Sequence, residues 1–325
     1  MKVLLTGASG FVGSHVLDAL AARGIPTAVL LRPSSNRRFI APHLATIEVH
    51  PGSITDPASL AAALRGVTHV IHCAALVKAV RAAELFAVNH DGTRNLVAAV
   101  NASRVERLVH ISSLAVSGPG TIAVPAREVA PPAPVSAYGR SKLAAEEEVM
   151  THCRPAFTIL RPAAVYGPRD GEFLRLFRAA RAHVRPTFGG GRQELSLAFV
   201  ADLAAIILAS LAHPGAPGRV FHVASGETCT TRQLTTEIAR QLGGWTLPLP
   251  LPNAVWWPLC VLAQAAARLT GRPTVLAHGK VRELTAPGWV ADTGRLRATL
   301  ALTCSTSLRE GIAATRAWYE QEGWL

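Results

Sequence analysis

Metal and disulfide signatures are missing from this 325-residue chain. The five cysteines, Cys73, Cys153, Cys229, Cys260 and Cys304, are odd in number, and no two have CxxC or zinc-ribbon spacing. A disulfide framework and a structural zinc are therefore not expected. The twelve histidines supply no HExxH or paired-carboxylate pattern, and His69 and His72 sit on unequal faces of one strand, so no metal is expected either. Charge is sparse: 17% of residues are charged against 49% hydrophobic, a balance that excludes intrinsic disorder for most of the chain. Internal repeats and low-complexity blocks are absent. The N-terminal apolar stretch is too short for a signal h-region and runs straight into a glycine loop, so a cytoplasmic location is expected.

The charge that is present leans positive, with a formal net value of +12. Such an excess suggests nucleic acid or an anionic membrane as partner. The arginines are scattered, however, and Lys2, Lys78, Lys142 and Lys280 are the only lysines, so the bias reads as compositional and no nucleic-acid partner is expected. The stretch Leu247–Leu269 combines Pro248, Pro250, Pro252, Trp256, Trp257 and Pro258 with a charge-free run to Ala267. Its prolines argue against a transmembrane helix, and the part after Pro258 is too short to span about 30 Å of hydrocarbon. A buried or lid helix is the favoured reading; the paired tryptophans keep interfacial membrane contact as the lesser one.

The first half alternates β-rich runs (Lys2–Thr6, Thr27–Leu31, Thr46–His50, His69–His72, Arg107–Ile111 and Phe157–Leu160) with helical patterns (Phe11–Arg23, Pro57–Leu64, Ala83–Asn101 and Ser136–His152). This alternation predicts an α/β fold of Rossmann type, a doubly wound parallel sheet whose ligand crevice lies at the carboxyl ends of the strands. Residues 1–165 are expected to form the dinucleotide-binding domain, and 166–325 a smaller substrate lobe, part of which returns to the first. Helices are expected there around Glu172–Ala182, Asp202–Ala212, Thr231–Leu242 and Ser307–Gln321.

Thr6-Gly7-Ala8-Ser9-Gly10-Phe11-Val12-Gly13 follows a strand and opens a helix. Gly7 permits the tight turn, Gly10 lets the backbone approach a pyrophosphate, and Gly13 allows close packing, while the helix N-terminus offers free N–H groups. Gly7, Ser9, Gly10, Phe11, Val12 and Gly13 are therefore candidate cofactor contacts. Leu31 ends the second strand where an acid normally bonds the adenosine ribose, and Arg32 follows. A guanidinium there suits a 2′-phosphate, so NADP is favoured, with NAD as the alternative.

Tyr138 and Lys142 lie four residues apart on one helical face. An ammonium close to the phenol would lower its pKa, fitting the phenol to pass a proton to or from a substrate oxygen. Ser113, at the end of the preceding strand, would hold that oxygen; Ser112 reads as a turn cap.

These motifs, together with His72-Cys73-Ala74-Ala75, Asn89-His90-Asp91-Gly92-Thr93 and Arg161-Pro162-Ala163-Ala164-Val165-Tyr166-Gly167-Pro168, resemble the extended short-chain dehydrogenases/reductases of the epimerase/dehydratase superfamily. The resemblance implies a catalytic triad of Ser113, Tyr138 and Lys142, with Lys142 also on the nicotinamide ribose. It implies Ala74 and Ala75 beside the adenosine, Pro162 to Val165 near the nicotinamide, Asn89 as a brace, and a homodimer through Asp91–Asn101 and Ser136–His152. Ser53 and Ile54 fall at the adenine position, where the family usually has an aspartate in place of Ser53. Leu195 stands where sugar-nucleotide enzymes often have a basic residue, and Val116-Ser117 replaces Val-Tyr. The chain thus looks closer to the branch holding 3β-hydroxysteroid dehydrogenases and dihydroflavonol reductases. Val77, Ser113, Val116 and Leu195 are its candidate substrate residues. Arg192, Arg175, Arg178 and Arg181 leave a phosphate clamp open. The expected function is NADP(H)-dependent oxidation or reduction of a small, apolar alcohol or ketone. The alternatives are an NAD-dependent nucleotide-sugar epimerase or dehydratase and, less favoured, a non-catalytic dinucleotide sensor.

Overall fold

The computed structural model describes residues 1–187, 189–250, 253–271 and 281–325; Leu251, Pro252 and the Trp256 side chain lie outside the described set. Strands β1 (Val3–Thr6), β2 (Thr27–Leu31), β3 (Glu48–Pro51), β4 (His69–His72), β5 (Arg107–Ile111) and β6 (Ala156–Pro162) alternate with helices α1 (Phe11–Ala22), α2 (Pro57–Ala63), α3 (Ala82–Phe86), α4 (Gly92–Asn101) and α5 (Ala137–His152). The second half adds β7 (Ala164–Tyr166), α6 (Leu174–Arg181), β8 (Val184–Thr187), β9 (Glu194–Phe199), α7 (Val200–Ala212), β10 (Arg219–Val223), β11 (Thr228–Thr230), α8 (Thr231–Leu242), β12 (Leu247–Pro250), α9 (Asn253–Thr270), α10 (Val281–Thr285), β13 (Gly288–Trp289), α11 (Gly294–Leu300) and α12 (Leu308–Gln321).

The main sheet is parallel throughout, in the order β10-β6-β5-β4-β1-β2-β3. Alternate side chains serve opposite cores. Val3, Leu5, Val29 and Ile71 pack with Val16, Leu17 and Ile207 of α1 and α7, while Leu4, Ala28 and Val70 pack with Leu60, Leu96 and Val149 of α2, α4 and α5. Burial on both faces is why the strand interiors are apolar, as at Val3–Leu5 and Ala28–Leu31. The order reverses between β1 and β4, which opens a crevice at their carboxyl ends.

One helix was expected over Ala83–Asn101, but the structure divides it. Between α3 and α4, residues Ala87–Asp91 form a single wide turn of π type. That turn sets Asn89 inward, 1% exposed, and brings Gly92 so close to Ile54 that a Cβ on the glycine would lie 2.7 Å from the Ile54 Cδ1.

In the smaller lobe, β11, β9 and β13 form a sheet with β7 beside β9. Helices α6, α8 and α12 close a core of Tyr166, Phe177, Ile238, Ile312 and Tyr319. Capping boxes at Thr230/Gln233 and Ser307/Glu310 start α8 and α12. Strands β8 and β12 form a separate parallel ribbon that leads into α9. Among the described residues, no helix is long and apolar enough to cross a membrane, and no group of three His, Cys, Asp or Glu side chains is placed to hold a metal.

Candidate active site

Beyond Thr6 the chain turns at Gly7, whose φ of 76° is the left-handed conformation that glycine adopts freely. A Cβ on Gly7 would lie 2.6 Å from the Ala74 nitrogen, and one on Gly13 only 2.1 Å from the Gly7 carbonyl oxygen. Helix α1 is N-capped by Gly10, with no side-chain cap among the described residues, so its first N–H groups stay available. Ser9, Phe11 and Val12 are partly exposed around this cradle. A backbone cradle that a Cβ would fill, backed by an uncapped helix end, fits the pyrophosphate of a dinucleotide.

Arg32 directly follows β2, is exposed, and has no ion-pair partner among the described residues. Ser53 spends its hydroxyl locally, accepting from the Thr55 nitrogen at 3.2 Å and sharing a bond with Thr55 Oγ1 at 2.8 Å. Ile54, expected among the cofactor contacts, is 5% exposed and wedged under Gly92, so its side chain supports the loop from beneath rather than lining the crevice. Ala74 meets Gly7, Ala75 is exposed, Pro162 is buried and Val165 half-buried.

Ser113 and Tyr138 face each other at the end of β5 and the start of α5. Ser136 caps α5 by accepting from the Gly139 nitrogen at 3.0 Å, which fixes Tyr138 in the first turn. The Tyr138 ring is partly exposed, but desolvation pushes the phenol up to about 12; the Ser113 hydroxyl pulls it down and the Glu283 charge adds to the rise. Glu283 lies on α10, far away in sequence, and carried no motif that could reveal it. Capping also differs from expectation: Ser113 Oγ accepts from the Ala115 nitrogen at 3.2 Å, whereas the buried Ser112 hydroxyl has no partner among the described residues.

Lys142 is 1% exposed, and burial lowers its pKa to about 8 against the opposing pull of Glu146 and Cys73. Its Nζ donates to the Ile111 carbonyl oxygen at 2.8 Å and lies 3.5 Å from His110 Nε2. The expected lowering of the tyrosine pKa is therefore not met here, because the ammonium is anchored on β5 and desolvation dominates at the phenol.

Behind these groups runs a continuous hydrogen-bonded path. The Ala74 N–H donates to Thr6 Oγ1 at 3.3 Å, Thr6 Oγ1 meets His72 Nδ1 at 2.7 Å, and His72 Nε2 meets Thr93 Oγ1 at 3.0 Å. Thr93 donates to the Asn89 carbonyl at 2.6 Å, so its oxygen accepts from His72 Nε2–H and leaves Nδ1 to accept from Thr6. Burial holds His72 neutral, its pKa lowered to about 3. Asn89 then donates to the Leu76 carbonyl and to Ser141 Oγ, each at 2.9 Å, and accepts from the Leu76 nitrogen at 2.7 Å. Finally Ser141 donates to the Tyr138 carbonyl at 2.8 Å. The glycine turn and the tyrosine helix are thus braced to each other through His72 and Asn89.

Two expected substrate contacts need correction. Val116 is fully buried, so nothing in the crevice reaches it. Leu195 faces the core under α6 and α8, alongside Tyr166 and Leu234, because its neighbours Glu194 and Ser196 take the opposite face of β9. Ser117 points inward as well, bonded to Arg161 Nη1 at 3.1 Å and His222 Nε2 at 2.8 Å beside a buried Arg161–Glu146 ion pair. Val77, in contrast, is 59% exposed.

The profile of the NAD dependent epimerase/dehydratase family matches residues 3–224. The chain is 30% identical to the ceramide reductase of Caulobacter vibrioides across 99% of its own length and 96% of that protein. It is also 30% identical to the UDP-glucose 4-epimerase of Vibrio cholerae, covering 77% of this chain and 79% of that one. The crystal structure of the Bordetella bronchiseptica enzyme WbmG in complex with NAD superposes with a TM-score of 0.79 at 25% identity, covering 100% of this chain and 95% of WbmG.

Proposed function

We propose, for a chain that belongs to the NAD-dependent epimerase/dehydratase family and is thus an NAD(P)-dependent enzyme of the extended short-chain dehydrogenase/reductase superfamily, the NADPH-dependent reduction of an apolar ketone, and the reverse oxidation. The observation that carries this reading is the protonated Tyr138 phenol facing Ser113 at the strand ends, beside the glycine cradle. The likeness to a ceramide reductase along nearly the whole length of both chains supports an apolar substrate.

Gly7, Gly10 and Gly13 would hold the pyrophosphate, and Arg32 the 2′-phosphate that distinguishes NADP from NAD. The bound cofactor supplies or accepts a hydride at its nicotinamide ring. Ser113 holds the substrate oxygen by a hydrogen bond, and Tyr138 gives its phenolic proton to that oxygen as negative charge develops on it. Of its three N–H donors Lys142 directs one to the Ile111 carbonyl and one toward His110 Nε2, and the third would serve a ribose hydroxyl. We place the enzyme in the cytoplasm as a homodimer through α4 and α5; its five free thiols support a reducing compartment.

A second reading, a nucleotide-sugar epimerase, is favoured by the likeness to UDP-glucose 4-epimerase. Cofactor and substrate assays separate the two. Consumption of NADPH with long-chain acyl or ring ketones and no affinity for UDP-sugars is expected. Tightly held NAD that co-purifies, together with UDP-sugar binding and inversion without net NADPH turnover, would replace the reductase by the epimerase.

A further inference from the structure

From Gln241 to Ala267 the chain carries no Asp, Glu, Lys or Arg. The helix in this stretch is packed the opposite way from an ordinary surface helix. Its inward stripe is Cys260 and Ala267, both buried, with Gln264 between them donating to the Val80 carbonyl at 3.0 Å. Apolar side chains are exposed along it: Trp257, 58% exposed near its start, and Leu262 at 69% and Leu269 at 88% on the side away from Cys260 and Ala267. On the preceding ribbon Trp245 is 72% and Leu247 65% exposed as well. Exposed apolar side chains concentrated in two successive elements mark an interaction site.

Its position and border identify the partner. Val80 belongs to the loop that begins at Leu76 and Val77, and α10, packed on α9, carries the Glu283 that acts on Tyr138, so α9 borders the crevice mouth. Four exposed arginines adjoin it: Arg81 beside Val80, Arg282 on α10, Arg240 at the end of α8, and Arg181 two residues before His183, whose ring stacks on Trp245 at 4.2 Å. Glu84 and Glu237 neutralise Arg81 and Arg240, while Arg181 and Arg282 have no carboxylate partner among the described residues. A second copy would oppose like charge to like charge. An anionic bilayer matches both features, apolar centre and cationic border, and tryptophan is the residue favoured at its interface.

We propose that α9 and the β12 ribbon lie in the plane of an anionic lipid surface, with the crevice mouth held at the lipid boundary. This docking does not depend on the proposed reaction, and its test involves no turnover. The full-length protein is sedimented with vesicles of phosphatidylcholine containing roughly one part in three phosphatidylglycerol, and with vesicles of phosphatidylcholine alone. Binding to the anionic vesicles, with a blue shift of tryptophan emission and weakening in high salt, is expected. Two variants, Trp245→Ser/Trp257→Ser/Leu262→Ser and Arg181→Glu/Arg282→Glu, should each lose about tenfold or more in vesicle affinity. Circular dichroism and NADPH titration confirm that each is folded; being surface changes of different kinds, they do not share a route to misfolding. No vesicle binding by the parent, unchanged binding by both folded variants, or a dimer in ultracentrifugation that Leu262→Ser abolishes would each overturn the proposal.

Discussion

Lys142 Nζ and the carbonyl oxygen of Ile111, 2.8 Å apart, tie the middle of α5 to the end of β5. An ammonium so placed is costly to bury, and its pKa falls from 10.5 to about 8 in the folded chain. The unfolded chain therefore binds that proton more tightly. The cost is fully present below about 8 and fades as pH rises toward 10.5. Urea unfolding of the cofactor-free protein should show the parent gaining stability over Lys142→Met by about 2 kcal/mol between neutral pH and about pH 9.5. A pH-independent difference would mean that Lys142 titrates normally.

Tyr138→Phe removes the proton donor and little else, since the ring remains. Turnover should fall by roughly 10²–10⁴-fold, the range for general acid–base catalysis, with NADPH affinity nearly unchanged. Parent-like turnover would place the acid elsewhere.

All three tyrosines have raised pKa values, Tyr138 to about 12 and Tyr166 and Tyr319 higher still, chiefly through burial. The unfolded chain gives up these protons first, near the ordinary value of 10. Their contribution to stability is present below that pH and lost as pH rises through it toward 12. Phenolate absorbance of the native protein should stay flat through about pH 10 and then rise together with unfolding. A separate step near the ordinary value would identify a solvated tyrosine.

Arg32 is exposed, has no ion-pair partner among the described residues and follows the strand that pairs with β1 beside the glycine turn. Arg32→Ala should weaken NADPH by about tenfold or more, the worth of a charge-assisted contact, and leave NADH unchanged. Isothermal titration with both cofactors reads this directly; equal losses would remove Arg32 from the 2′ position.

Gly13→Ala places a methyl 2.1 Å from the Gly7 carbonyl oxygen, a contact that only backbone movement can relieve. A loss of roughly 1–3 kcal/mol, the usual cost of overpacking, should accompany a collapse of dinucleotide affinity. Gly171→Ala, with nothing within 4 Å of its added carbon, is the control and should bind as the parent does.

Strands of the central sheet were legible to the residue, as at Thr27–Leu31, His69–His72 and Arg107–Ile111, because short β-rich runs alternate there with helical patterns. Strand β10 escaped because it rejoins the sheet beside β6 only after a long excursion, and periodicity does not record partners. The π turn at Ala87–Asp91 escaped for a related reason: apolar spacing continues across it, while the contact that follows from it, Gly92 on Ile54, is tertiary. Ser113, Tyr138 and Lys142 were legible as a strand end and a helical spacing. Glu283 and the path through His72 and Thr93 were not, since chain folding alone brings them there. Val116 and Leu195 were misplaced for want of knowing which way each side chain turns.

The chain does not leave the large sheet once and for all. After β7 and β9 it sends α7 back against α1, lays β10 along β6, and returns again with Leu296 and Leu300 of α11 in the same core. A gene fragment ending near residue 165 would encode a sheet with a bare edge and an uncovered oily face. Neither half can be traded for a foreign one, so new specificities have to arise by rewriting the loops between these returns rather than by swapping modules.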